Sequence, residues 1–556
     1  MAVAPWRRLR KKMAQPSRCV LLSCVAALLA LTFTWHHWGG AAPPPPSAAV
    51  AAARAGALRL ALTRGHDALA SARTAAQHRR KAPAGGVTLS LTPPAAAAAA
   101  AGPPAVAPAP AAAEAPLPSP APFASLSRSL LSIDFHISPI QDLKHLLARH
   151  FPGVAVEDRS LSGACGRTGT CAHAGNLLVL RQGDVDNSLH FGGAVRRAFF
   201  EAYRPGGAGG ALLAQADAMV CSHPTGMCEL AMPFNRSVVL WATTRFEQGR
   251  ERSAPRLAGY VANFRALAAL PGSAVLANNM YDVHYTHYFT GVLPRYVPSL
   301  CAYPGVQWSW QPPAPGGASG RPILVHGYRP HRGGVGLEAF LAPLRALAAS
   351  GRTGGFAFQE LRAALGADYA YAALAAHPAI LHLPYQVSIM SFFEHYRAGV
   401  PILAPSLALL TQWHMDSLFV SERTWDTVLY GAPASASVLP RHADADEPYD
   451  PNDETSREAV AWWLQWADYY VFPHVLLFDS WEHLGELLRG ADLPAVSRAM
   501  LAHAGALEVQ LAQEWGSVLR ALPSRQARAE SDARLAGLGF DARMDAIYGK
   551  GKWAEY

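Results

Sequence analysis

The chain has 556 residues, 51% of them hydrophobic and 16% charged, enough for two or three domains with more than one buried core. Its net charge of +8 is unevenly placed: residues 1–122 hold thirteen Lys/Arg against Asp67 and Glu114, a balance of +11, which leaves −3 for the rest. The basic character therefore belongs to the N-terminal segment, and the remainder offers no electrostatic case for binding nucleic acid.

Residues 1–18 form a basic tail, with Arg7, Arg8, Arg10, Lys11, Lys12 and Arg18. An uncharged run follows from Cys19 to Trp35. As a helix it would span roughly 26 Å at 1.5 Å per residue, close to an early-secretory bilayer. With positive charge on the cytoplasmic side, residues 19–38 are expected to be a signal anchor in a type II orientation. A cleaved signal peptide and an organelle transit peptide compete with this reading, but the unbroken apolar run and the Trp35/Trp38 pair favour the anchor. Residues 39–122 are rich in Ala, Pro and Gly and too poor in large apolar side chains to offset the entropy of ordering. They read as a disordered stem.

A first α/β domain is expected over 123–312. Leu131 to Phe135 reads as a strand, followed by a polar loop with His136 and a helix from Ile140 to His150. Further strands are expected at Ala218–Ser222, Ser237–Thr243, Ala274–Ala277 and Arg295–Pro298. Helical stretches at Met227–Pro233, Leu257–Ala269 and His284–Phe289 alternate with them, which implies a parallel sheet. No GxGxxG follows the first strand, so a dinucleotide oxidoreductase is disfavoured, and no basic residue at Phe135 to Pro139 suits a phosphosulfate loop.

The cysteines beyond the anchor are Cys165, Cys171, Cys221, Cys228 and Cys301. Their C-x5-C and C-x6-C spacings match paired zinc ligands poorly, so local disulfides Cys165–Cys171 and Cys221–Cys228 are favoured, with Cys301 left over. Asn235-Arg236-Ser237 is a glycosylation sequon, usable only on an exposed lumenal loop. The segment Asn278 to Tyr285 places Asn279, Asp282 and His284 just after a strand, making them candidates for the acceptor side of a site.

After the Pro/Gly-rich linker Gln311 to Gly320, a second α/β domain is expected over 321–490. Ile323–Val325 reads as a strand and Leu337–Ala349 as an amphipathic helix. The loop between them carries Arg329, His331, Arg332 and several glycines, suited to a pyrophosphate. The most informative stretch is Ala379 to Ser406. Ile380–Leu383 reads as a strand, Ser388 as an N-cap, and Ile389–Ala398 as a helix stopped by Gly399-Val400-Pro401. Ile402–Ala404 is the next strand. In such a βαβ unit the helix N-terminus faces the carboxyl ends of the strands and offers a phosphate free N–H groups. Trp462 and Trp466 read as a packed helix face, and Ala495–Leu522 as a long C-terminal helix within 491–556.

The run Phe392-Phe393-Glu394-His395-Tyr396-Arg397-Ala398-Gly399-Val400-Pro401 resembles the donor-binding half of GT-B glycosyltransferases. The resemblance is specific over about thirty residues. It implies two Rossmann-like domains facing a cleft, and Glu394 accepting hydrogen bonds from the donor ribose. Gln386 stands eight residues upstream, where many retaining members carry a second glutamate, so retention or inversion stays open. Arg329 and Arg332 become diphosphate ligands beside Gln386 and Ser388, and His136 stands where several inverting members keep a base, with Asp134 to orient it. Anchor, stem and globular part together resemble Golgi glycosyltransferases, with the endoplasmic reticulum or a plastid as alternatives. The implied partners are a nucleotide sugar, UDP-linked before GDP-linked, and a glycan, glycoprotein or glycolipid acceptor. No cofactor or metal is implied. A metal-dependent GT-A enzyme using Asp184 and Asp186, with Asp444-Ala445-Asp446 as a second DxD pattern, and a non-enzymatic lumenal binding module are the competing readings. Donor sugar, acceptor, linkage and oligomeric state are not legible.

Overall fold

The computed structural model describes residues 125–172, 193–207, 209–248, 253–311, 320–329, 335–424 and 434–555. The tail, the expected anchor and the stem lie outside the described residues, as do Arg332, Asp184 and Asp186. Among the described residues no helix is long and apolar enough to cross a membrane.

Two wholly parallel sheets make the chain an α/β protein. The first comprises β1 (Arg128–Asp134), β2 (Val154–Ser160), β3 (Ala218–Cys221), β4 (Ser237–Ala242), β5 (Ala274–Ala277) and β6 (Arg295–Tyr296), in the order β2-β1-β3-β4-β5-β6. The second comprises β7 (Ile323–His326), β8 (Phe358–Glu360), β9 (Ile380–His382), β10 (Ile402–Pro405) and β11 (Leu476–Phe478), in the order β11-β10-β9-β7-β8. β3 and β4 are buried along their whole length, as parallel strands covered on both faces must be. Each sheet reverses its winding once, between β1 and β3 and between β7 and β9. Open α/β sheets leave a crevice at that point, outside the carboxyl ends of the strands.

Five helices set the site. α1 (Ile137–His150) follows β1, α2 (Met280–Thr290) follows β5, α3 (Met390–Arg397) joins β9 to β10, α4 (Leu407–Ser417) follows β10, and α5 (Leu493–Ala521) runs back along both lobes. α3 stops where Gly399 takes φ +74°, a left-handed turn in which an added Cβ would meet Leu501 Cγ at 2.8 Å. On α5, the buried Glu508 receives Arg149 at 3.1 Å and His150 at 3.1 Å from the first lobe, and Arg397 at 3.5 Å from the second. α6 (Arg525–Leu535) and α7 (Phe540–Tyr548) then close over the first lobe through Arg236–Asp532 at 2.7 Å and the Phe540 ring against Phe200.

Cys165–Cys171 and Cys221–Cys228 are disulfide-bonded, and Cys301 is a buried free thiol. The sequon is a correction to the expectation of an available site. Asn235 Nδ2 donates to Ser531 Oγ on α6 at 2.7 Å, and Arg236 and Ser237 are buried, so the folded chain does not present the acceptor amide.

Candidate active site

The carboxyl ends of the two sheets border a cleft with two adjoining cavities. One, of about 370 Å³, is bounded chiefly by His136, His223, Thr243, Asn278, Gln386 and Ser388. The other, of about 480 Å³, is bounded chiefly by His326, Tyr328, Arg362, Tyr369, Ser391 and Glu394. Arg329, His136, Tyr385, Ile389 and Met390 line both. Among them His136, His223, Arg329 and Tyr385 follow β1, β3, β7 and β9, the strands on either side of each switch point.

α3 aims its start into this cleft. Its N-cap is Ile389, whose side chain makes no cap bond, and its first turn holds no acid. The unpaired N–H groups and partial positive charge at such an end suit an anion. Ser388, expected as the cap, stands one residue too early: the helix begins at Met390, and the Ser388 hydroxyl lies against the buried Asp468 carboxyl. Arg329 stands opposite, with its guanidinium 4.1 Å from the Tyr385 ring centroid and 3.3 Å from Glu422 Oε1. Gln386 donates to the other Glu422 oxygen. Gly327, at φ +99°, lets the β7 loop pass close to β9, where a Cβ would sit 2.8 Å from the Leu383 carbonyl oxygen.

Glu394 lies at the edge of the larger cavity and is 8% exposed. Tyr303 and Tyr371 both hydrogen-bond its carboxylate. Burial raises its pKa, against the lowering effect of the two phenols. His326, on this wall, is backed by His382 and His395, with His326 Nε2 3.0 Å from Ser391 Oγ and the His326 and His395 rings 5.2 Å apart.

His136 caps α1: its Nδ1 accepts the Ser138 N–H at 3.3 Å, so the neutral ring carries its proton on Nε2. Its surface is open to the cleft, yet neighbours crowd it. Partial desolvation first, and the charge of Arg329 second, lower its pKa. Asp134, expected to orient it, turns instead beneath the sheet. Its Oδ1 accepts from Ser160 Oγ at 2.8 Å, and burial together with the neighbouring Asp158 pushes its pKa up to about 8. The ring facing His136 is His223, at 5.2 Å between centroids. Burial holds the His223 pKa well below its usual value, and its ring nitrogens make no hydrogen bond among the described residues.

The three acceptor-side candidates are not in the cleft. Asn279 caps α2, and Asp282 is fully buried in a bidentate pair with Arg245 at 2.7 and 3.0 Å; the cap and the pair consume their polar atoms. His284 points to Glu447 and packs on Trp466. Asn278, one residue earlier, does line the smaller cavity. The sequence reading passed over Tyr385, Glu422, His223 and His326. Tyr385 and His223 stand within three residues after β9 and β3, and His326 is the last residue of β7, positions that parallel-strand topology makes informative once the strands are placed.

No family model and no curated protein matches the chain. Among solved structures, the glycotransferase of kitacinnamycin covers 71% of this chain and 100% of its own, at 15% identity and a TM-score of 0.36. CalG4, the calicheamicin glycosyltransferase, covers the same shares at 14% identity and 0.36. UGT89C1 of Arabidopsis thaliana, complexed with UDP, does so at 12% identity and 0.31. At these scores function is read from the residues of the cleft.

Proposed function

We propose that the chain is a glycosyltransferase of GT-B type that moves a sugar from a nucleotide donor to a glycan, glycoprotein or glycolipid. The reading is carried by one observation: the uncapped start of α3 and the Arg329 guanidinium share a cleft at the switch points of two parallel sheets. That arrangement suits a diphosphate, with Gln386 and Ser388 as further ligands on the same rim, and Arg332 is proposed from the sequence to join them. Glu394, held by Tyr303 and Tyr371, accepts the ribose hydroxyls. The nucleoside occupies the larger cavity and the sugar the smaller.

In transfer, a base takes the acceptor hydroxyl proton, the acceptor oxygen bonds to the anomeric carbon, and the nucleoside diphosphate leaves with the electron pair. His136 is the first candidate for the base, and it accepts at Nε2 only when its proton sits on Nδ1, away from the Ser138 cap. His223 is the second, favoured by a neutral ring that makes no hydrogen bond among the described residues and lines the same cavity. The diphosphate is held without a metal, so turnover needs no added Mn2+ or Mg2+. UDP-sugars are the first choice of donor and GDP-sugars the second. The N-terminal anchor places the enzyme in the Golgi membrane in type II orientation.

The test is a panel of nucleotide sugars presented to the purified chain, scored for thermal stabilisation and nucleotide release. At least one donor is expected to do both. Inert nucleotide sugars with binding of free glycans would replace the enzyme with a binding module. Turnover that requires Mn2+ and disappears on replacing Asp184 and Asp186 by Ala would replace GT-B chemistry with GT-A.

A further inference from the structure

Outside the cleft, the middle and last turns of α2 and the loop 434–455 build a second polar cluster. His284 and His287 lie one helical turn apart on α2, and Glu447 comes to them from the loop. A single oxygen, Glu447 Oε1, stands 3.1 Å from His284 Nδ1 and 2.9 Å from His287 Nδ1. Asp446 Oδ1 lies 3.9 Å from the same His287 nitrogen, and donor atoms of His287, Asp446 and Glu447 fall within 4.8 Å of one another.

Three features separate this cluster from a solvated group of acids. Glu447 is 2% exposed, and its second oxygen, Oε2, is buried with no hydrogen-bond partner on another described residue. Trp462 and Trp466 wall the His284 ring at centroid distances of 5.6 and 4.3 Å, which keeps water from that side. The Asp446 carboxylate is almost fully exposed, leaving an entry path on the opposite side. Two imidazole nitrogens and two carboxylates form a borderline donor set that zinc takes in tetrahedral geometry; His287, Asp446 and Glu447 already present donor atoms within 4.8 Å of one another, and His284, 3.1 Å from the shared Glu447 oxygen, completes the set by a side-chain shift toward Asp446.

We propose that His284, His287, Glu447 and Asp446 bind one divalent transition-metal ion, zinc foremost. The ion would pin the loop 434–455, which belongs to the second half of the chain, to α2 of the first. The Arg441 guanidinium already holds the Glu447 backbone carbonyl at 2.7 Å, and the His442 amide donates to the Tyr288 carbonyl at 2.8 Å, so the loop is positioned before the ion arrives. The site is separate from the proposed diphosphate, and neither depends on the other.

The full chain, dialysed against EDTA, is titrated with Zn2+ and separately with Co2+. One equivalent is expected to bind with a dissociation constant below about 1 μM. The Co2+ form should show visible absorption of a four-coordinate nitrogen–oxygen site, and Zn2+ should raise the melting temperature. His287→Ala should weaken binding by at least roughly 100-fold, and Asp446→Asn by about 10-fold. Asp446 is exposed, so its variant folds and decides the matter even if His287→Ala does not. A folded chain that binds neither ion at about 0.1 mM, or one whose affinity is unchanged in Asp446→Asn and His287→Ala, would overturn the site and leave a hydrogen-bonded His–Glu–His latch.

Discussion

Asp142 offers the sharpest test of how the two lobes are joined. It lies on α1, the helix begun by His136, and its carboxyl accepts the backbone N–H of Leu300 at 2.9 Å and of Cys301 at 2.6 Å. Those residues precede the linker between the sheets, and Cys301 is held at φ +52°. Asp142→Ala would orphan two buried donors, each costing about 1–3 kcal/mol, for a loss of about 2–6 kcal/mol. The loss should also depend on pH. Burial raises the Asp142 pKa to about 7, against the pull of its backbone donors, so the folded state holds a proton that the unfolded chain has released above about pH 4. A raised pKa stabilises at low pH, and that contribution fades as pH rises toward 7, at about 1.4 kcal/mol per unit. Between pH 5 and pH 8 the wild type should therefore lose about 2–3 kcal/mol that the variant does not. Urea unfolding at both pH values measures this directly. A deficit below about 1 kcal/mol at pH 5, or one equal at the two pH values, would refute the account of a buried, partly protonated clamp.

Three further outcomes are expected. Arg329→Met should weaken nucleotide binding roughly 10- to 150-fold, the equivalent of a charge-assisted hydrogen bond lost to the phosphates, by calorimetry; unchanged affinity removes Arg329 from the site. His382 is 1% exposed, and burial followed by His326 lowers its pKa to about 3. Its depressed value costs stability as pH falls below about 6.5, so His382→Phe should flatten the acid limb of a stability profile between pH 6 and 4 by about 1.4 kcal/mol per unit, and an unchanged slope refutes the neutral ring. Gly399→Ala should destabilise by about 1–3 kcal/mol in denaturant titration, because φ +74° and the 2.8 Å approach of Leu501 both exclude a Cβ; a neutral result would mean that the α3 stop can relax.

Local pattern located most elements because burial on both faces writes itself into the sequence as apolar runs. Ala274–Ala277 is a strand as expected, and Ser237–Ala242 and Ala218–Cys221 each end one residue early. β2 and β8 escaped notice: VAVEDRS carries charges on an exposed edge face, and FQE is three residues long. The helix after β9 appeared two residues shorter than expected, which removed Ser388 from the cap but left the α3 N-terminus bare toward the cleft.

What composition and periodicity determine here is the alternation of strand and helix, because side-chain burial along one element needs only that element's residues. Which polar residues face the cleft is a different matter. Asn278 reaches it while Asn279 and Asp282 vanish into a cap and an ion pair with Arg245, though all three stand in one run of five. Arg245, His223 and Glu422 lie far away in the chain, and only their meeting through strand order and lobe packing separates a site residue from a structural one. Partnership across tens or hundreds of residues is a property of the tertiary structure, and it sets the burial, charge and tautomer on which chemistry depends.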